Sequence, residues 1–304
     1  MRQVRREIIH TNALTWLQEN ERTLSGYVVT SLPDISELAS TVRQDVPVYK
    51  QWLRDATRLI LQALDPHDSI AIFYQSDIMA KDGVWIDKAY QIQRMAEDMG
   101  WVLLFHKVAL ISPPDTLKIG RSAYTHMIAL APRPLPFKEG RPEWFPDVLS
   151  ERGEMSWKKA MGERAAYECL RYLFLMKRHA WPSEKPFTIY DPFCGQGTVL
   201  AVAAEFGLDA IGVDLALRRC QAALSVTTAT IPPSQRLKLN LGLPESLQIT
   251  VVLSAIFNGA PPNTLATQTL FLPSSSSSSS QRNDPSVVAD GEDDDVGTHP
   301  KAEP

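Results

Sequence analysis

Cysteine is scarce in this chain. Three residues, Cys169, Cys194 and Cys220, occur among 304, with no CxxC pair. That argues against a disulfide framework or a zinc site, and a reducing compartment, cytoplasm or nucleus, is expected. No apolar run reaches the ~18 residues that a membrane helix needs. The basic start Met1-Arg2-Gln3-Val4-Arg5-Arg6-Glu7 leads only into a short β-like run. It lacks the apolar core and small-residue cleavage site of a signal peptide. An excess of positive charge is also missing, because the net charge is -4. Residues from Ile231 onward hold 4 basic and 8 acidic side chains, which leaves 27 of each before them. A neutral body gives no global pointer to nucleic acid; a local patch would have to supply the attraction. No internal repeat is visible.

What is present is a phrase late in the chain. Thr188-Ile189-Tyr190 is a short β-prone entry to Asp191-Pro192-Phe193-Cys194-Gly195-Gln196-Gly197-Thr198. An apolar run from Val199 to Phe206 follows, then Ala210-Ile211-Gly212-Val213-Asp214. The order reads as strand, glycine turn, helix, strand. Gly195 and Gly197 permit a tight turn and close approach of a ligand to the backbone. Thr198 can cap the helix. Asp214 ends the second strand, where a carboxylate can hold ribose hydroxyls. The third glycine of a dinucleotide fingerprint and the Walker lysine are both missing, so NAD and ATP fit less well.

The rest of the chain alternates strands and helices. Strands are expected at Tyr27–Thr30, Ser69–Tyr74, Trp101–Leu110 and Tyr124–Ala131, the last pair antiparallel. Helices are expected over Ala13–Glu19, Pro47–Leu64, Trp85–Met99, Ser156–His179 and Leu217–Val226. Pro33 breaks the segment after Tyr27–Thr30, so Ser31-Leu32-Pro33-Asp34 is a loop at a strand's C-terminal end, where open α/β sheets bind ligands. Residues 1–230 form one domain on this reading. Residues 231–272 are an extension of unassigned packing with one candidate strand, Ile249–Phe257. The serine tract and acidic run in 273–304 read as a disordered tail.

Asp-Pro-Phe-Cys-Gly-x-Gly-Thr with Gly-Val-Asp downstream resembles motifs I and II of the S-adenosylmethionine-dependent amino-methyltransferases that modify DNA and RNA bases. Ile8 to Leu14, and Tyr27 to Asp34, resemble their motifs III and IV. Motif I then comes last, as in the circularly permuted β-class. The stretch from Met161 to Leu173 sits where that family places motif X. The resemblance spans roughly residues 6 to 228. It implies a Rossmann-like class I methyltransferase, with a seven-stranded, mostly parallel sheet in permuted order.

The same resemblance implies the site. Asp191, Pro192, Phe193, Gly195, Gly197, Thr198 and Asp214 would hold S-adenosylmethionine, with Asn12 at the adenine. Ser31 and the Leu32 carbonyl would accept hydrogens from an exocyclic amine, and Pro33 would fix the loop. The family has an aromatic residue at position 34 that stacks on a flipped base. Asp34 cannot stack; it can accept a hydrogen bond, take a proton or cap a turn. The implied partner is nucleic acid, RNA before DNA because no long recognition segment separates the motifs. A protein partner, a protein or small-molecule acceptor and an inactive scaffold are the alternatives. Gln75, Asp77, Asp87 and Lys88 fall on the substrate side, with capping and surface ion pairs as their simpler role. His106 and His126 could pair on adjacent strands, but no third metal ligand has suitable spacing. Cys194 reads as a packing residue.

Overall fold

A computed structural model of the protein describes residues 2–39, 42, 45–135, 146–180, 187–228, 247–256 and 263–272. In chain order these form β1 (Arg2–His10), α1 (Ala13–Glu19), β2 (Gly26–Thr30), a 3-10 turn (Ile35–Glu37), α2 (Val46–Ala63) and β3 (Ala71–Gln75). A small hairpin of β4 (Ile78–Met79) and β5 (Trp85–Ile86) precedes α3 (Lys88–Asp98), β6 (Val102–Leu110), β7 (Tyr124–Ala131) and β8 (Val148–Leu149). Then come α4 (Glu163–Ala180), β9 (Thr188–Asp191), α5 (Thr198–Glu205), β10 (Asp209–Asp214), α6 (Leu217–Ala223), β11 (Leu247–Ala255) and β12 (Asn263–Leu272).

The main sheet runs β12-β11-β1-β10-β9-β2-β3-β7-β6-β8. From β1 to β6 this is the expected seven-stranded core, with its two last strands in sequence, β10 and β9, inserted between β1 and β2. β7 runs antiparallel to β6, as expected for that pair, and also to β3. The expected count of seven is corrected to ten among the described residues. β8 pairs parallel with β6. β11 pairs parallel with the whole of β1, from Arg2 opposite Leu247 to His10 opposite Ala255. β12 pairs antiparallel with β11. Val251, Leu253, Ser254 and Ala255 are buried, so the C-terminal end of β11 is covered on both faces. The serine tract, the acidic run and residues 231–246 lie outside the described residues.

Both faces of the sheet are covered. Val28, Phe73 and Tyr190 face α1, α2 and α3, whereas Val29, Ile72 and Ile189 face α4, α5 and α6. Every residue of β2 and β3 is buried, which is why these strands read as continuous apolar runs. No helix among the described residues is long and apolar enough to cross a membrane.

Two helices start later than their apolar patterns predict. Trp85 and Ile86 pair with Met79 and Ile78 in the small hairpin. Asp87 then caps α3 by accepting from the Tyr90 N–H at 2.7 Å. The stretch expected to open a helix at Ser156 is drawn aside. The Ser156 hydroxyl meets that of Thr198 at 2.6 Å, and α4 begins where the N–H groups of Glu163 and Ala165 find the carbonyls of Glu154 and Arg152.

Candidate active site

β9 is the strand at which the sheet order reverses. β10 and β1 lie to one side of it, β2 and β3 to the other. A cavity of about 430 Å³ opens beyond the C-terminal ends of these strands, the place where open α/β sheets hold ligands. Of the residues singled out from sequence, Asn12, Ser31, Leu32, Pro33, Asp191, Pro192, Phe193, Thr198 and Asp214 line it. Gly195 and Gly197 build the turn beneath without lining it. Their φ values of 55° and 83° are left-handed, a conformation that costs other residues about 1 kcal/mol or more. A side chain at Gly195 would also sit 3.1 Å from the Trp157 ring.

Asp191 ends β9 and is 4% exposed. Its Oδ1 accepts from the Thr30 hydroxyl at 2.7 Å and from the Phe193 N–H at 3.2 Å. Burial pushes its carboxyl up to about 7, and the charge of Asp214 adds to that. A buried carboxylate without a cation is costly, so the cavity favours a positively charged ligand here. Asp214 ends β10 and accepts from the N–H groups of Gly195 and Ala216 at 3.1 and 2.7 Å. Burial also raises its carboxyl, partly offset by these bonds and by Arg219. A carboxylate has about four acceptor positions, so it can still take hydroxyls. Asn12 caps α1 by accepting from the Leu14 N–H at 2.9 Å, and it also lines the cavity.

The loop after β2 is held by buried side chains. Gln75 grips Leu32 at both backbone groups, accepting from its N–H at 2.9 Å and donating to its carbonyl at 3.0 Å. The Tyr49 hydroxyl donates to the Pro33 carbonyl at 2.8 Å. Ser31 lines the cavity, and its hydroxyl has no hydrogen-bond partner among the described residues. Asp34 is not brought into the cavity. Its carboxylate pairs with the Lys88 ammonium at 2.5 Å and with Arg121 at 3.4 Å. Burial raises the Asp34 carboxyl, but the two cations more than offset this and hold it below the ordinary carboxylate range. That leaves it poorly suited to take a proton near neutral pH.

Asp87 is a helix cap, as its simpler role predicts. Asp77 accepts from the Lys88 N–H at 2.9 Å and contacts His126 Nε2 at 3.1 Å. His126 Nδ1 meets His106 Nε2 at 2.7 Å, so both ring nitrogens of His126 are engaged. All three cysteines are buried and free. Burial raises the Cys194 thiol well above its ordinary value, with Asp191 and Asp214 adding to this. It is therefore a poor nucleophile.

Sequence reasoning missed part of the wall. Glu37, Trp52, Trp157, Lys159 and Arg219 all line the cavity. Glu37 pairs with Lys159 at 3.4 Å and Arg219 at 3.6 Å. The Arg219 guanidinium lies 5.2 Å from the Trp157 ring centre. Nothing local marks these residues as a wall, because their meeting depends on four separate segments.

No family model and no curated protein matches the sequence. Solved structures do. The chain is similar to a putative DNA modification methylase from Thermus thermophilus, at 19% identity and a TM-score of 0.53, covering 73% of this chain and 93% of that one. The same enzyme complexed with S-adenosyl-L-methionine matches at 18% and 0.53, covering 72% and 93%. The PvuII DNA methyltransferase, cytosine-N4-specific, matches at 14% and 0.53, covering 75% and 89%. At such identity the likeness is one of fold, and the fold is that of a Rossmann-like class I methyltransferase.

Proposed function

We propose that the protein is an S-adenosylmethionine-dependent methyltransferase acting on an exocyclic amine of a nucleic-acid base. The observation that carries this reading is the Asp191 carboxyl, buried and pushed up to about 7 in a cavity at the reversal of strand order. Such a carboxyl asks for a cation. S-adenosylmethionine carries an ammonium and, when bound, supplies an electrophilic methyl group on a positively charged sulfur. The fold, and similar structures named as DNA methylases, support the same reading.

Each residue then has a role. Asp191 faces the ammonium. Asp214 accepts the ribose hydroxyls, and Asn12 lies at the adenine. Pro192, Phe193 and Thr198 wall the ligand, while Gly195 and Gly197 let the turn come close. Ser31 accepts one hydrogen of the acceptor amine. The Leu32 carbonyl, with one lone pair used by Gln75, keeps a second for the other hydrogen. Pro33, Gln75 and Tyr49 hold that loop still, and positioning of this kind supplies much of the rate in a displacement. Asp34 anchors the loop rather than taking a proton.

Residues 1–230 carry this site on our reading. The acceptor is RNA if the short spacing between motifs decides, since single-stranded bases need no long recognition segment. It is DNA if the named function of the similar structures decides. Tritiated methyl transfer to total DNA, RNA and protein tests the proposal. Label in nucleic acid that is lost in Ser31→Ala supports it. Label confined to protein, or nucleic-acid labelling unaffected by Ser31→Ala, contradicts it.

A further inference from the structure

The turn of Asp34 toward Lys88 leaves the acceptor loop without the ring that would stack on a base. Three aromatic side chains line the cavity, Trp52, Trp157 and Phe193. Phe193 belongs to the glycine turn. Trp157 packs against Gly195 and lies under Arg219, so it too serves the floor of the cavity. Trp52 stands on α2, beside the acceptor loop. It stacks on Tyr49 with 6.2 Å between ring centres and 10° between planes, and Tyr49 holds the Pro33 carbonyl. Phe193 meets it at 6.0 Å and 62°. The indole is thus oriented by two rings and tied through one of them to the loop that carries Ser31. It is only half-buried.

We infer that Trp52 is the stacking surface for the planar acceptor ring, in the place that Asp34 vacates. This rests on the proposed function and makes it more specific: the acceptor is a flat aromatic heterocycle pressed against an indole from α2. A base that stacks on an aromatic side chain gains about 1–3 kcal/mol, roughly 5- to 150-fold in binding. The pairing of Asp34 with Lys88 and the placing of Trp52 are then two halves of one arrangement. The ion pair keeps the loop closed without a ring, and the helix supplies the ring.

The test compares Trp52→Leu and Trp52→Phe with the unaltered protein. Three quantities are measured: the KM for the nucleic acid that takes label, the affinity for S-adenosylmethionine, and the quenching of tryptophan fluorescence by that nucleic acid. Trp52→Leu is expected to raise the KM about 5- to 150-fold, with the S-adenosylmethionine affinity unchanged. Trp52→Phe is expected to restore most of the loss while reducing the quenching to the part that Trp157 carries. An unchanged KM in Trp52→Leu, or an equal loss of S-adenosylmethionine affinity, overturns the inference. If Trp52→Leu fails to fold, quenching of undiminished amplitude in Trp52→Phe overturns it, since Trp157 in the same wall can account for only part of the signal. An unaltered protein that labels only protein overturns the proposed function first, and this inference with it.

Discussion

Binding of S-adenosylmethionine should expel a proton from Asp191. The perturbation is pH, and the magnitude follows from the site. Without ligand, the carboxyl is pushed up to about 7 by burial and by Asp214, despite the bonds from Thr30 and Phe193. An ammonium placed opposite favours the charged form and pulls the value back down. At pH 6 binding should therefore release about 0.9 proton from Asp191, and at pH 8 only about 0.1. The ligand's own amine, near 7.7–8.0 when free, takes up a proton at the higher pH, so the net count should change sign between the two. If the ligand is compared only in its ammonium form, affinity should fall about ten-fold from pH 8 to pH 6, or about 1.4 kcal/mol. Calorimetric titration in two buffers of different ionisation enthalpy reads the proton count. Asp191→Asn keeps an acceptor for Thr30 but cannot release a proton, so its count at pH 6 should be zero and its binding weak. No release by the unaltered protein at pH 6, or equal release by both, would refute the reasoning.

The same shift sets the stability of the ligand-free protein. The folded pKa lies above the unfolded value, so Asp191 costs stability progressively as pH rises from about 4 to about 7, on the order of 4 kcal/mol in all. Asp191→Asn should therefore raise the melting temperature at pH 8 while losing the ligand; a lower melting temperature would contradict this. Asp34 has the opposite sign. Its carboxyl is held low, so its contribution is present above the unfolded value and lost as pH falls below it. Asp34→Asn strands the buried Lys88 and should cost about 3 kcal/mol or more in denaturant unfolding, whereas a change below about 1 kcal/mol would mean the ion pair holds nothing. Gln75→Ala leaves two buried backbone groups of Leu32 unpaired, about 1–3 kcal/mol each. It should lower kcat through a loosened loop and leave S-adenosylmethionine affinity intact, a split that steady-state kinetics with calorimetry can check.

Much of this arrangement is legible in the sequence. The phrase from Asp191 to Thr198 and the β-run before Ser31 carry local signals, glycines at left-handed positions and β-branched residues in a fully buried strand. Those signals are local because the backbone itself requires them. The strands β11 and β12 are a different matter. Their membership depends on pairing β11 with β1 across most of the chain, and no local pattern encodes a distant partner. Lys88, whose simpler role is a surface ion pair, is buried, as is Gln91 on the same helix. Lys88 answers Asp34, and Gln91 accepts from Arg54 at 2.6 Å between α2 and α3. Tyr90, which the apolar pattern places inward, is 57% exposed instead. Trp52 is legible as part of an apolar helix face but not as a cavity wall, because that depends on how α2 meets the glycine turn.

The identity of the methylated product bears on the whole proposal at once. The protein is incubated with S-adenosylmethionine bearing a deuterated methyl group and with total RNA and DNA, which are then digested to nucleosides and resolved by mass spectrometry. The expected result is a deuterated methyl group on the exocyclic amine of one base, absent when Asp191→Asn replaces the unaltered protein. Binding of S-adenosylmethionine with no deuterium in any nucleoside, or deuterium on a ring carbon or a ribose oxygen, would contradict it.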